Sequence, residues 1–260
     1  MSAIFDLVLY APLFNLLVFL YNTVAFDDFG VAIIFLTVMI RLLMSPLSIR
    51  AFRSQKILSD LQPKIQEVQK KFKSDPQKQT REVMALYKQH NTNPFSGCFL
   101  LLIQLPVLFA LYRVSIAGFA ENSLSVLYHF VRKPEFLNPL SLGIFDLTKR
   151  SVFLSLVAGV IQFFQMKWGF PRKREVFEKN QAPNPAASLN KQMLYFFPLI
   201  TIIVSLSFPA GLPLYWIATT AFSILEQFYV NKSGRSRATG PQYGESDSKS
   251  NFRNGQGFFR

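Results

Sequence analysis

Residues 29–49 read FGVAIIFLTVMIRLLMSPLSI, an apolar run interrupted by one charge, Arg41. A helix needs about 20 apolar residues to cross the hydrocarbon of a bilayer, and this run supplies them. An arginine at that depth costs roughly 2.5–3.5 kcal/mol on insertion scales, so it must snorkel, pair, or face water held inside the protein. The next flanking charge, Arg50, is nine residues away, about 14 Å along a helix, which puts full snorkelling out of easy reach. Pro46 lies one turn beyond and supplies no N–H, so the carbonyl of Leu42 loses its helical partner. Hydrocarbon penalises that loss; a wet cavity or a polar neighbour does not. A snorkelling or ion-paired structural arginine is the bland reading. A guanidinium in a hydrated intramembrane pocket is the functional one.

The rest of the chain agrees with a membrane class. Half of its 260 residues are hydrophobic, 28 are Phe, and the mean hydropathy is +0.23, which leaves little room for a separate soluble domain. One cysteine, Cys98, excludes a disulfide framework and any multi-cysteine metal site. No cleavable signal peptide is expected from the N-terminal residues. The net charge of +13 would suit a nucleic acid, but its distribution points to topology. Segments 50–93, 167–191 and 231–260 hold 22 Lys/Arg, against five in segments 1–28 and 113–150. By the positive-inside rule this gives five core spans, with the N-terminus outside and the C-terminus inside.

In order, residues 1–28 form an outer-surface amphipathic helix, with a sixth span over 4–26 as the alternative. The first span is 29–49. Residues 50–93 carry ten Lys/Arg against four acids, with Ile57, Leu61, Ile65, Val68 and Phe72 at helical spacing, and read as a projecting cytosolic helical hairpin. Its break is Ser74-Asp75-Pro76, with Asp75 as N-cap, and Asp60 with Pro63 suggests a further helix start. The second span is 94–117, capped by Asn93. An external loop (118–150), a third span (151–169), a basic cytosolic loop (170–191) and a fourth span (192–207) follow. Phe208-Pro209-Ala210-Gly211 turns into the fifth span within 208–230, and 231–260 is a disordered basic tail.

Catalysis finds little support: His90 and His129 lie outside the spans, and no HExxH, phosphate loop or GxSxG is present. No metal or cofactor is expected, and the chain does not read as an enzyme. The spans hold a sparse polar set, Arg41, Gln104, Gln162, Gln165, Glu226 and Gln227. Amides within spans are often plain inter-helix hydrogen bonds. Glu226, near the inner end of its span, reads as interfacial and not as the partner of Arg41. An unpaired cation in a low-dielectric recess attracts acidic groups strongly.

Six ordered segments carry a resemblance. They are Ile40-Arg41-Leu42-Leu43 with Pro46-Leu47; Leu61-Gln62-Pro63-Lys64-Ile65; Met84-Ala85-Leu86-Tyr87-Lys88; Asn93-Pro94 with Gly97-Cys98; Leu102-Ile103-Gln104-Leu105-Pro106; and Phe208-Pro209-Ala210-Gly211-Leu212 with Leu214-Tyr215-Trp216. Together they closely resemble the YidC family of membrane-protein insertases over about residues 10–232. Pro12-Leu13-Phe14-Asn15-Leu16-Leu17 is similar to that family's surface helix. The extra N-terminal span and large periplasmic domain of Gram-negative versions are not expected in this short form.

The resemblance implies a groove open to cytosol and lipid and closed toward the outside. Arg41 would be its arginine, and Gln104, Gln162 or Gln165, and Trp216 would line it. The hairpin, through Arg50, Arg53, Lys70, Lys71 and Lys73, would receive nascent membrane-protein substrates and meet the ribosome, targeting machinery or the Sec translocon. DNA is not an expected partner. The location implied is the bacterial inner (cytoplasmic) membrane. The rival reading is a secondary transporter or channel for an organic anion bound at Arg41; such proteins usually show inverted repeats, and no such symmetry is evident.

Overall fold

A computed structural model of the chain describes residues 5–93, 95–117, 123–169 and 185–237. Among the described residues the protein is helical apart from a two-stranded antiparallel ribbon. A π-helical turn, Asp6–Tyr10, leads into α1 (Ala11–Thr23). Then follow α2 (Phe29–Lys71), α3 (Pro76–Gln89), α4 (Ser96–Ala117), β1 (Leu140–Ser141), β2 (Phe145–Asp146), α5 (Val152–Gly169), α6 (Pro185–Ser207) and α7 (Gly211–Arg237). Among the described residues, Asp6–Thr23, Phe29–Lys71 and Val152–Gly169 are long and apolar enough to cross a membrane, and Leu102–Val114 and Leu194–Ser207 are shorter apolar helices.

One helix dominates. α2 runs 43 residues without a break through both Pro46 and Pro63, so the expected second start at Asp60–Pro63 does not occur. Each proline removes one hydrogen bond, to Leu42 or Ser59, and the surrounding ladder carries the helix past both. Asp28 starts it: one carboxylate oxygen accepts from the Val31 N–H at 2.9 Å, and the other accepts from the Leu142 N–H. The expected cap at Asp75 is present, accepting from the Lys78 N–H at 3.0 Å, and α3 begins at Pro76. At the base of the hairpin the Ser54 and Thr92 hydroxyls meet at 2.8 Å, and Gln79 donates to the carbonyl of Gln69 higher up. Asn93 accepts from the Phe95 N–H ahead of α4.

The opposite end is roofed by the ribbon and the loop before it. Ala210 and Gly211, at the turn into α7, donate to the carbonyls of Lys149 and Leu147. Asp146 accepts from the Thr148 hydroxyl and from Lys149, which holds its carboxyl down at about 2. α1 is sewn to the same loop: Asn15 donates to the Val126 carbonyl and accepts from the Tyr128 N–H, Asn22 donates to the Arg132 carbonyl, and the Tyr21 hydroxyl accepts from the Asn138 N–H. The main apolar core gathers here, with Phe14, Leu17, Phe29, Ile33, Leu36, Val114, Leu147 and Tyr215 fully or nearly fully buried.

α7 packs against both α2 and α5, and α5 packs against α6. Gly159 makes the last contact possible, since a Cβ there would collide with the Ile202 side chain and press the Pro198 carbonyl. Helix bounds differ from the sequence expectation at two ends. α6 begins at Pro185, within the segment expected to be loop, and α7 continues to Arg237, six residues past the expected start of the disordered tail at 231. The expected features at 118–122, 170–184 and 238–260 lie outside the described residues.

Candidate functional site: an arginine between two long helices

Polar residues recur at helical spacing on two facing helices. α2 offers Thr37, Arg41 and Ser48, and α7 offers Tyr215, Thr219, Ser223, Glu226 and Gln227; all are buried. The outward faces are apolar, with Met39, Leu42 and Leu43 exposed on α2 and Leu225, Phe228 and Tyr229 exposed on α7. This inverts the pattern of a water-soluble bundle and is what a lipid solvent selects, because only the protein interior offers polar partners.

Arg41 is 7% exposed. Among the described residues it makes no hydrogen bond and no ion pair; the ionisable groups close enough to act on it electrostatically are Tyr215 and Glu226, both on α7. Glu226 is buried as well. Its Oε1 accepts a hydrogen bond from the Ser48 hydroxyl across the α2–α7 contact, and its Oε2 is buried without a partner. Ser48 lies seven residues beyond Arg41 on the same face of α2, two turns or about 10 Å along the axis. The site is therefore a buried cation with a carboxylate held further down the same seam by a hydroxyl. The sequence signal that could have found Tyr215 and Glu226 is the polar stripe on α7 at intervals of three and four.

The other expected groove residues do not hydrogen-bond to Arg41 or to one another among the described residues. Gln104, on α4, has a buried amide nitrogen without a partner. Gln162 accepts from the Thr201 hydroxyl at 2.6 Å, joining α5 to α6; that is the plain inter-helix use of an amide. Gln165 borders a small recess with Trp168, Gln227 and Asn231. Trp216 is partly buried against the main core. Arg50, Arg53, Lys70, Lys71 and Lys73 are all exposed on the hairpin, and Lys71 sits 5.6 Å from the centre of the Phe72 ring. No cluster of three metal-binding side chains occurs among the described residues.

Comparison with known proteins gives these features a family. The family model described as 60Kd inner membrane protein matches residues 19–237. A membrane protein insertase YidC from Magnetococcus marinus is 36% identical over 223 residues, covering 85% of this chain and 35% of its own length. One from Rickettsia bellii is 32% identical over 222 residues, covering 85% of this chain and 38% of its own length. The YidC of Fusobacterium nucleatum is 29% identical over 228 residues, covering 87% of this chain and 98% of its own length. This chain thus spans well under half the length of the first two relatives and nearly all of the third. It belongs to the 60Kd inner membrane protein family, the family of the YidC insertases, and is a multi-pass protein of the bacterial inner membrane.

Proposed function

We propose that the chain is a membrane-protein insertase and chaperone that passes short acidic tails of nascent proteins along a hydrated groove beside Arg41. The observation that carries this reading is the burial of Arg41, without a partner among the described residues, on an otherwise apolar stretch of α2. A charge kept there at such cost calls for a use. The buried and unpartnered Oε2 of Glu226 supports hydration of the seam, since groups of this kind usually bond to water. In this reading α2, α4, α5, α6 and α7 are the five spans, the hairpin end is cytosolic and the ribbon end is external. The Asp6–Thr23 segment, α1 with its leading turn, lies on the outer surface even though it is long enough to span. In support, its start pairs with Arg113 near the end of α4, while its last turn bonds to residues 132 and 138 of the roofing loop. A spanning helix would carry those two ends about 25 Å apart across the bilayer.

The chemistry needs no nucleotide and no covalent step. A carboxylate in the substrate tail pairs transiently with Arg41, which lowers the cost of carrying it through hydrocarbon. Burying the following apolar segment of about 20 residues in lipid then drives insertion. The roof of loop and ribbon closes the seam on the outside. The exposed basic hairpin receives the nascent chain, with the ribosome, targeting machinery or Sec translocon as its partners.

The test uses a strain depleted of its own insertase and a model substrate with an acidic outside-going tail, read by protease accessibility. Arg41→Ala and Arg41→Glu abolish tail translocation, while Arg41→Lys retains most of it. Equal translocation by Arg41→Ala and the parent would end the proposal.

A further inference from the structure

We propose that a recess at the ribbon end binds the headgroup of a zwitterionic lipid with a primary ammonium, a phosphatidylethanolamine. The recess, of about 410 Å³, lies between the first turn of the N-terminal segment and the far end of α4, and is lined by Asp6, Leu7, Tyr10, Ala11, Arg113 and Val126. Asp6 and Arg113 form an ion pair across it, and the Arg113 guanidinium sits 4.7 Å above the centre of the Tyr10 ring. The pair is not sealed: the Arg113 and Asp6 side chains are 32% and 41% exposed. Leu7 and Val8, also exposed, continue the apolar surface beside it.

The charges on the page decide the ligand. Among the described residues the lining holds one carboxylate and one guanidinium and is electroneutral, so a purely anionic headgroup would meet Asp6 as well as Arg113. A phosphoethanolamine group carries the complementary pair of charges a few bonds apart. Its phosphate matches the planar donor fork of Arg113. Its ammonium has N–H donors for the Asp6 carboxylate. An ion pair this exposed contributes little by itself, so opening it to admit the ligand costs little. Arg113 lies four residues before the end of α4, the depth at which a headgroup would sit beside a span, while Leu7 and Val8 would face the upper acyl chains. This site is separate from the Arg41 seam, and its test does not depend on the insertase reading.

Native mass spectrometry of the full chain released from detergent, after exchange with equimolar phosphatidylethanolamine and phosphatidylglycerol of the same acyl chains, reads the site directly. The parent chain retains phosphatidylethanolamine in preference to phosphatidylglycerol. Arg113→Gln and Asp6→Asn each cut that retention about tenfold, the loss of one charge-assisted contact. The double variant Asp6→Arg with Arg113→Asp keeps an ion pair between the two elements and so guards against simple unfolding. It also loses phosphatidylethanolamine, because the phosphate, fixed next to the glycerol, would now meet the carboxylate. Unchanged retention in both single variants, or full retention in the swapped variant, overturns the proposal. Preferential retention of phosphatidylglycerol overturns it too, by making the recess an anion site.

Discussion

Followed from Phe29 to Lys71, α2 changes the way it sorts its side chains without changing its backbone. In the stretch up to Ile49 its buried residues include Thr37, Arg41 and Ser48, and its exposed ones include Phe35, Met39, Leu42 and Leu43. From Arg50 onward Ala51, Phe52, Leu61 and Ile65 are buried, while Arg50, Arg53, Lys64 and Lys70 are exposed. The solvent turns over while the helix continues. In the first half lipid accepts apolar groups and rejects polar ones, so polar residues gather against α7. In the second half water does the reverse, and an apolar stripe that includes Leu61 and Ile65 is buried. The clasp of Ser54 with Thr92 stands close to the crossover.

The largest way to break this contrast is to put a charge on the lipid side of the first half. Leu43 is 81% exposed, and Leu43→Asp is expected to cost about 2.5–3.5 kcal/mol of membrane insertion. Lys64→Leu, on the water side of the second half, is expected to stay within about 0.5 kcal/mol. The fraction of each variant that resists alkaline extraction from membranes measures the difference. If Leu43→Asp integrates as fully as the parent, that face does not meet lipid.

Next in size is the seam itself. Ser48→Ala removes the donor to Glu226 and leaves a buried carboxylate whose other oxygen is already unpartnered. An uncompensated loss of this kind costs about 1–3 kcal/mol, and it should appear as a lowered thermal midpoint in lipid nanodiscs. Glu226→Gln keeps an acceptor for Ser48 and should be milder. The same substitution on the water side, Ser59→Ala, is a control expected to change little. Equal midpoints for Ser48→Ala and the parent would mean that Glu226 already finds another donor.

Which parts of this arrangement could be read from the chain alone follows from how local their causes are. The apolar run at 29–49 and the cap at Asp75 are written within a few turns of sequence. Pro63 misleads because a proline is tolerated in the first turn of a helix and also survives inside one long enough to lose a single bond. Glu226 misleads for a different reason. Its position near the end of a span suggests water, whereas its side chain is buried and accepts a hydrogen bond from Ser48, 178 residues away in sequence. Gln162, Gln165 and Gln104 look alike in sequence, yet one joins α6, one borders a recess with Trp168, and one has an unpartnered nitrogen. Only the packing of α4, α5, α6 and α7 separates these roles.

The smallest expected effect sharpens the contrast from the water side. Asp75 caps α3 by accepting from the Lys78 N–H, and the tip it occupies is exposed to water. Asp75→Ala removes that acceptor at a cost of about 1 kcal/mol. The loss should remain at the tip, because the Ser54–Thr92 clasp and the Gln79–Gln69 bond hold the hairpin closed below it. Amide exchange in the first turn of α3 is then expected to quicken about fivefold, with exchange along residues 29–49 unchanged. Were the slowest amides of 29–49 to quicken as well, the two halves of α2 would be one cooperative unit, and the change of solvent along it would not divide its stability.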